Sequence, residues 1–445
     1  MTDISNTNEV VDQMQTTAAI DEARKKRTTK RYAAEKRFEY IGLAAVLSAA
    51  LFLVILLWTI VGNAIPALTY NYVKIPIDLT NEKLTAENAG SFDYRKTVRD
   101  GVYEAVPGVK GRKDRKKLRG LVSSGAAVEL RSEVSGNPDW IGTKREIHLP
   151  LSDTADLYLK NLMGDINRPE SERKFSDIEI KWTDQLNEQG KIESRFNSIF
   201  FTHGASREPE MAGIWGAVVG SFLTLLVTLV LSVPVGVGAA IYLEEFAPKN
   251  KLTGFIEINI NNLAAVPSIV FGLLGLGFFL NGVYLGWFTL GGGFPRSAAI
   301  TGGTVLALMT LPTVIIASRA AIKSVPPSIR EAALGIGASK VQATFHHVLP
   351  LAMPGILTGT IIGMAGALGE TAPLLLIGMV AFIVDIPGGF TEPATVLPVQ
   401  IFMWADFPEI GFQQKTAAAI MILLFFLIAM NAIAVWLRNK FERRW

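Results

Sequence analysis

The sequence predicts an all-α polytopic membrane protein with six transmembrane helices and a soluble α+β insert after the first span. Three observations lead to this fold class. Several uncharged runs exceed the ~20 residues that an α-helix needs to cross a bilayer. Charge is instead concentrated from Tyr70 to Met211, which hold 23 of the 43 basic and 23 of the 40 acidic residues. Finally, the short connections between the apolar runs are alternately rich and poor in lysine and arginine, as the positive-inside rule requires.

Composition excludes several classes of function. The chain has no cysteine, so it can form neither a disulfide nor a thiolate site, and its net charge of +3 is too small to indicate nucleic-acid binding. A phosphate-binding loop of the G-x-x-x-x-G-K-[ST] type is absent, which excludes ATP hydrolysis by that route. His346 and His347 would point to different faces of a helix, so we expect no metal site. The classes of function that remain are passage of a substrate across the membrane, sensing, and assembly with partner subunits.

The first elements are a basic segment, a span and the insert. Residues 1–40 carry eight basic residues between Arg24 and Arg37 and are expected in the cytoplasm. The uncharged run 41–65 is too long for a signal-peptide core and is interpreted as the first span. We therefore expect residues 66–211 to form a periplasmic insert.

The insert mixes two kinds of pattern. Glu146–Leu149, Ile178–Trp182 and Ile192–Phe196 alternate like strands, whereas Ser152–Leu162 is helix-like. The run Lys110–Arg119 holds seven basic residues and one acid, Asp114. We interpret this run as a solvated helix face, with attraction of anions or phospholipid head groups as the alternative.

Residues 212–437 contain the other five predicted spans. These are Gly213–Leu243, Ile258–Pro295, Ser297–Ser318, Val348–Val384 and Thr416–Leu437. The basic connections after the second and fourth spans, and the basic tail 438–445, fall on the cytoplasmic side. Both termini are therefore expected in the cytoplasm.

The loop 325–350 has an unusual pattern of helix signals. Pro326 and Pro327 should end one helix, and Ser328 with Glu331 should form a capping box for a short new one. Gly335 and Gly337 should stop that helix within two turns. Ser339-x-x-Gln342 then restarts a helix that leads into the fifth span. A short helix held off the membrane indicates docking against a partner.

This loop resembles the EAA loop of ABC-importer permeases. Glu331-Ala332-Ala333, then Gly337, then His347-x-Leu349-Pro350 have the spacing of that motif, although His347 replaces the usual apolar residue. The resemblance implies the type I importer permease fold, in which the short helix couples to an ATPase subunit. The residues that it assigns to coupling are Ser328, Glu331, Ala332, Ala333 and Gly337.

Two further stretches are similar to phosphate-specific permeases of the PstA type, namely Asn262–Gly272 and Gly369–Leu374. The similarity implies a subunit of an ATP-driven importer of inorganic phosphate in the inner membrane. The implied partners are a homologous second permease, two ATP-binding subunits, a periplasmic phosphate-binding protein and membrane lipid. ATP and Mg would be used by the ATPase subunits, with no cofactor bound by this chain.

The candidate substrate path contains Glu370, Thr371, Ser268, Asn262 and Arg319. An ionised Glu370 within an apolar run costs roughly 2.5–3.5 kcal/mol on insertion scales unless it has a partner. Pro373 is expected to break the helix nearby. A carboxylate can accept a hydrogen bond from protonated phosphate but not from fully ionised sulfate. The alternative is that Glu370 pairs with a basic residue between helices, for which Arg319 and Arg296 are candidates.

Gly355, Gly359 and Gly363 recur every four residues in the fifth span. Such a stripe lets another helix approach closely, and we expect it to face either the partner permease or another span of this chain.

Two other functions stay open at this stage. One is a permease for another oxyanion or for phosphonate. The other, of a different class, is a membrane-anchored sensor that binds its ligand in the insert.

Overall fold

The computed structural model describes residues 4–164, 168–284, 289–380 and 382–441. Its contacts divide the chain into two units, 1–62 and 63–445. The first unit consists of helix α1 (Ile4–Ala64), which continues two residues into the second. The segment Arg24–Leu68 has a mean hydropathy of 2.7 in its most apolar window and is long enough to cross a membrane.

The insert begins with a strand that lies at the centre of a three-stranded antiparallel sheet of order β2-β1-β3. Its elements are β1 (Thr69–Asp78), α2 (Arg95–Ala105), α3 (Arg112–Arg119), α4 (Ala126–Gly136), β2 (Lys144–Pro150), α5 (Asp153–Leu159), α6 (Asp177–Glu188), β3 (Ile192–Phe196) and α7 (Ser198–Thr202). Ile75 pairs with Ile147 and Tyr72 with Glu193. Two of the three predicted strands, 146–149 and 192–196, fall within observed strands.

A hydrophobic core forms between this sheet and the insert helices. Ile75 and Ile77 of β1 are fully buried, as is Leu149 of β2 and Leu130 of α4. Burial of side chains of this size contributes roughly 1.5–3 kcal/mol each, which gives the insert its own core within the second unit.

The prediction of a strand at Ile178–Trp182 is wrong, because this stretch lies in α6. Ser176 and Glu179 form a capping box that starts a helix there. Trp182 and Leu186 are then buried at i, i+4 spacing, so the short alternation is compatible with one helix face.

The remaining elements include the apolar helices. They are α8 (Trp215–Ile241), α9 (Lys251–Ala264), α10 (Ser268–Leu274), β4 (Val283–Tyr284), β5 (Thr289–Leu290), α11 (Ala299–Lys323), α12 (Pro327–Gly335), α13 (Lys340–Gln342), α14 (Leu349–Gly369), α15 (Ala372–Leu376), α16 (Leu397–Ala405) and α17 (Ile410–Phe441). In the part of the chain that the structure describes, five helices, including α1, are long and apolar enough to span a membrane. The count becomes six if the bent pair α9 and α10 is one span.

Two predicted spans differ from straight helices. The third bends by 102° between Ala264 and Ser268, where Pro267 cannot continue the preceding helix. The fifth ends at Gly369 instead of continuing to Val384. Helix α11 lies between α8 and α14, and Gly303 permits the close approach to α8, where a Cβ would lie 2.7 Å from the carbonyl oxygen of Thr224.

Candidate functional site

The short helix α12 begins two residues earlier than the predicted capping box implies. Pro326 is its N-cap and Pro327 its first residue, and no side chain caps its amino end. The expected capping box of Ser328 with Glu331 is therefore wrong. Proline at the first helical position lacks an N–H that would need a partner and already has a helical φ, so the helix starts without a side-chain cap.

The end of α12 and the restart of the chain follow the expected glycine and serine signals. The helix ends at Gly335, and Gly337 adopts a φ of +93°, which favours glycine. Ser339 accepts a hydrogen bond from the Gln342 amide (3.2 Å), and the Gln342 side chain accepts one from the Ser339 amide (2.8 Å). This second capping box is confirmed and opens the helical segment that leads into α14.

One side of α12 is anchored and the other is exposed. Ala333 is buried, whereas Glu331 and Ala332 are exposed. Two apolar side chains beyond them are also open, Leu334 at 50% and Ile336 at 82% exposure. An exposed apolar surface beside a short, well-bounded helix is typical of a docking surface.

Two arginines connect this loop to the end of α8. Arg330 contacts Glu245 at 2.8 Å and donates to the backbone oxygens of Val325 and Ile322. Arg319 of α11 contacts Glu244 at 2.7 Å and Glu257 at 2.8 Å. Arg319 is thus held by these two carboxylates and not by Glu370. The adjacent pair Glu244-Glu245 was the sequence signal for this network, and sequence reasoning missed it.

Glu370 lies at a break between two helices. Helix α14 ends at Gly369, Glu370 has extended backbone (φ −78°, ψ 121°), and α15 starts at Ala372 with Pro373 in its first turn. The Glu370 side chain is half-buried, and its carboxylate makes no hydrogen bond or ion pair with the residues that the structure describes. It is therefore free to accept a hydrogen bond.

The other helix break packs against this one. Ser268 is the first residue of α10, directly after the bend. One turn further on, Gly272 lies against Pro373, where a Cβ would be 2.6 Å from the Pro373 Cα. Contact between α10 and α15 thus brings together the helix that begins at Ser268 and the helix that begins directly after Thr371. Asn262 is exposed on α9 and Arg319 lies with its two glutamates, so neither is part of this contact.

The glycine stripe of α14 faces α11 of the same chain. A Cβ at Gly355 would lie 2.6 Å from the Ala321 Cβ, and one at Gly359 would overlap the Ala317 Cβ. At Gly363 the spacing relaxes, with Val314 at 3.7 Å. Small residues on both helices therefore allow the two backbones to approach closely.

A buried charged cluster joins the insert to the start of α17, and sequence reasoning missed it. We call Asp153, Asp156, Lys160, Glu210 and Lys415 the junction cluster. Lys160 contacts Asp156 at 2.6 Å and donates to the backbone oxygens of Pro66 and Thr69. Lys415 is 4% exposed and donates to the backbone oxygen of Ala212.

Burial changes the acidity of this cluster. It raises the pKa of Asp153 to about 7, and the neighbouring Glu210 and Asp156 carboxylates add to the rise. Burial likewise raises the pKa of Glu210, whose Oε2 has no hydrogen-bond partner among the described residues. The Asp153 carboxylate also lies directly against Gly411 in the first turn of α17.

Two family models match the chain. One, described as a binding-protein-dependent transport system inner membrane component, covers residues 232–445. The other, described as a domain of unknown function, covers residues 25–168 and thus most of the insert. The chain is therefore similar to transport proteins over the region that contains α12, α14 and both helix breaks.

Individual relatives carry related descriptions. A probable ABC transporter permease protein, YqgI of Bacillus subtilis, is 34% identical over 202 residues, which are 45% of this chain and 62% of that protein. The phosphate transport system permease protein PstC of Pasteurella multocida is 30% identical and covers 49% of this chain and 71% of its own length. PstA 1 of Mycobacterium tuberculosis is also 30% identical, over 55% of this chain and 78% of its own length.

Proposed function

The chain belongs to the family of binding-protein-dependent transport permeases that includes the PstA and PstC phosphate-system proteins, and from this premise we propose that it is a membrane subunit of an importer of inorganic phosphate. It would form half of the translocation path, with a homologous permease forming the other half. Members of this family are transport components without an ATPase site of their own, so two partner subunits would hydrolyse ATP with Mg.

The single observation that carries this proposal is helix α12, which lies within the family-matched region and has an open side. Glu331 and Ala332 would contact an ATPase subunit. Buried Ala333 and the Arg330–Glu245 ion pair would transmit the movement of that subunit to α11 and α8. Ser328 lies in the first turn of α12. Gly337, with its positive φ, would stop the helix from extending further along the chain.

The packed helix breaks support a substrate path. Glu370 with its unpaired carboxylate precedes α15, and Ser268 opens α10, which contacts α15. Broken helices leave backbone groups unpaired, as in transporters that bind substrate between half-helices. Phosphate still carries a proton at neutral pH, and the Glu370 carboxylate would accept a hydrogen bond from it. Thr371 would add a hydroxyl group.

We further propose an inner-membrane topology with both termini in the cytoplasm, the insert in the periplasm and α12 in the cytoplasm. The distribution of lysine and arginine supports this orientation. A periplasmic phosphate-binding protein would deliver substrate to the insert side, and alternating access would release it near α12.

The proposal is tested by uptake of radiolabelled phosphate in cells that lack the chain, complemented with wild type, Glu370→Gln or the exposed control Glu82→Gln. We expect wild type and the control to restore uptake that excess sulfate or phosphonate does not reduce. Loss of one hydrogen bond to a charged group should lower uptake by Glu370→Gln about tenfold or more. Inhibition by a competing oxyanion would exclude phosphate as the specific substrate. Full uptake by Glu370→Gln would show that the Glu370 carboxylate has no role in the substrate path and serves only in packing.

A further inference from the structure

The basic run of the insert lines a cleft, and the proposed transport of phosphate gives this cleft no role. Helix α3 places Arg112, Arg115, Lys116 and Arg119 at i, i+3, i+4 and i+7, which is one helix face. These four side chains, Lys110 and Tyr103 line a cleft of about 540 Å³, and we call it the basic cleft. Five exposed cations thus line one concave surface, whereas Lys113 and Lys117 of the same run lie outside it.

No carboxylate of the described residues neutralises the cations of the basic cleft. Lys117 of the same helix pairs with Glu170 at 3.3 Å, and Asp114 turns back against Gly111 at the helix start. Neither acid lines the cleft. In the described residues, none of the five lining cations forms an ion pair with a carboxylate. Like charges one turn apart repel, so this arrangement gains stability from a bound anion.

The geometry of the basic cleft is partly fixed. Leu118 is 1% exposed and anchors α3 in the insert core. The Arg115 guanidinium lies over the Tyr103 ring at 5.3 Å, and its Nε donates to the Val109 carbonyl oxygen at 3.0 Å. These contacts hold Arg115 in place before any ligand arrives, which reduces the entropy lost on binding.

We propose that the basic cleft binds a tetrahedral, phosphate-type oxyanion. Three of its five cations are arginines, whose planar guanidinium groups form paired hydrogen bonds to phosphate oxygens. The ligand is either free inorganic phosphate or the phosphate of an anionic lipid head group, because both present this chemistry. The inference concerns binding at the insert and does not depend on what the chain transports.

The experiment uses the full chain in nanodiscs of net-neutral phosphatidylcholine. Amide hydrogen exchange of residues 112–119 is measured with increasing inorganic phosphate at ionic strength held constant with chloride. A second arm replaces phosphatidylcholine with anionic phosphatidylglycerol in the absence of phosphate. The test variant is Arg112→Gln/Lys116→Gln, and the matched control is Lys96→Gln/Lys113→Gln, which removes the same charge outside the cleft.

We expect saturable protection in wild type and in the control, with apparent affinity about tenfold weaker or more in the cleft variant. Protection by added phosphate in neutral discs identifies free oxyanion as the ligand. Protection only in phosphatidylglycerol discs identifies the lipid head group. Equal responses of the two variants, or no protection in either arm, would overturn the proposal and leave α3 as a solvated face. The uptake assay tests the proposed transport function independently, so a negative result here would not bear on it.

Discussion

Asp153 is a residue whose charge depends on its burial against α17. Its pKa is raised to about 7 by burial and by the Glu210 and Asp156 carboxylates, with opposing effects from Lys415 and Lys160. An acid whose pKa is higher in the folded than in the unfolded state binds more protons when folded. The free energy of unfolding therefore falls as pH rises from about 4 to about 7. Glu210, whose pKa burial also raises, acts in the same direction.

Asp153→Asn should flatten this pH dependence, because asparagine imitates the protonated acid. Between pH 5.5 and 8 we expect the wild-type stability to fall by about 2 kcal/mol more than that of the variant. Apparent melting temperatures in detergent at both pH values provide the measurement. Asp139→Asn, at an exposed site, should retain the wild-type slope. Parallel pH profiles for wild type and Asp153→Asn would show that this carboxyl does not carry the dependence.

Packing of α14 on α11 is an element-scale feature that depends on glycine. At Gly359 a methyl group would overlap the Ala317 Cβ, so the two helices would have to separate. We expect Gly359→Ala to destabilise the chain by about 1–3 kcal/mol, the usual cost of overpacking. The apparent melting temperature and the amount of folded protein after extraction measure this loss.

Two variants control for the helix effect of alanine. Gly366 lies on the same helix, and a Cβ there would have no atom of another helix within 4 Å, so Gly366→Ala should gain roughly 0.5–1 kcal/mol from helix propensity. Ala317→Gly combined with Gly359→Ala should recover part of the lost stability, because it removes the overlapping methyl group. Similar behaviour of Gly359→Ala and Gly366→Ala would argue against tight packing at this contact.

The elements differ in how far local sequence predicts them. Uncharged runs locate the apolar helices, and Ser339 with Gln342 starts its helix as expected, since both depend on neighbours in the chain. The Pro267 bend had a local proline signal, but no local pattern gives its 102° angle or the packing of α10 on α15 that follows it. Strand-like alternation at Ile178–Trp182 was overridden by a cap and by burial at helical spacing. Lys415 interacts electrostatically with Glu210, Asp153 and Asp156, all more than 200 residues earlier in the sequence. No local pattern indicates that these residues meet.

At the scale of the whole molecule, two groups of buried or partly buried charges flank α8. The junction cluster includes Glu210, just before this helix, and the arginine network includes Glu244 and Glu245, just after it. A helix of 27 residues is about 40 Å long, so the two groups are separated by the thickness of a membrane. Ion pairs of this kind stabilise little beyond their desolvation cost, but removing one partner leaves the other charge without compensation. Under the proposed coupling, movement at α12 would reach α8 through Arg330 and α11 through the backbone.

Coupling through α12 predicts a variant that separates function from folding. Glu331 is exposed, so Glu331→Ala should leave membrane insertion and melting temperature unchanged. If Glu331 contacts an ATPase subunit, binding-protein-stimulated ATP hydrolysis by the reconstituted complex should fall about tenfold or more, because an interface contact is lost. Lys249→Ala, an exposed change in the turn after α8, should retain the wild-type rate. Arg330→Ala should instead lower stability, since it frees the buried Glu245 carboxylate. Normal stimulated hydrolysis with Glu331→Ala would contradict the proposed docking of α12 against an ATPase subunit.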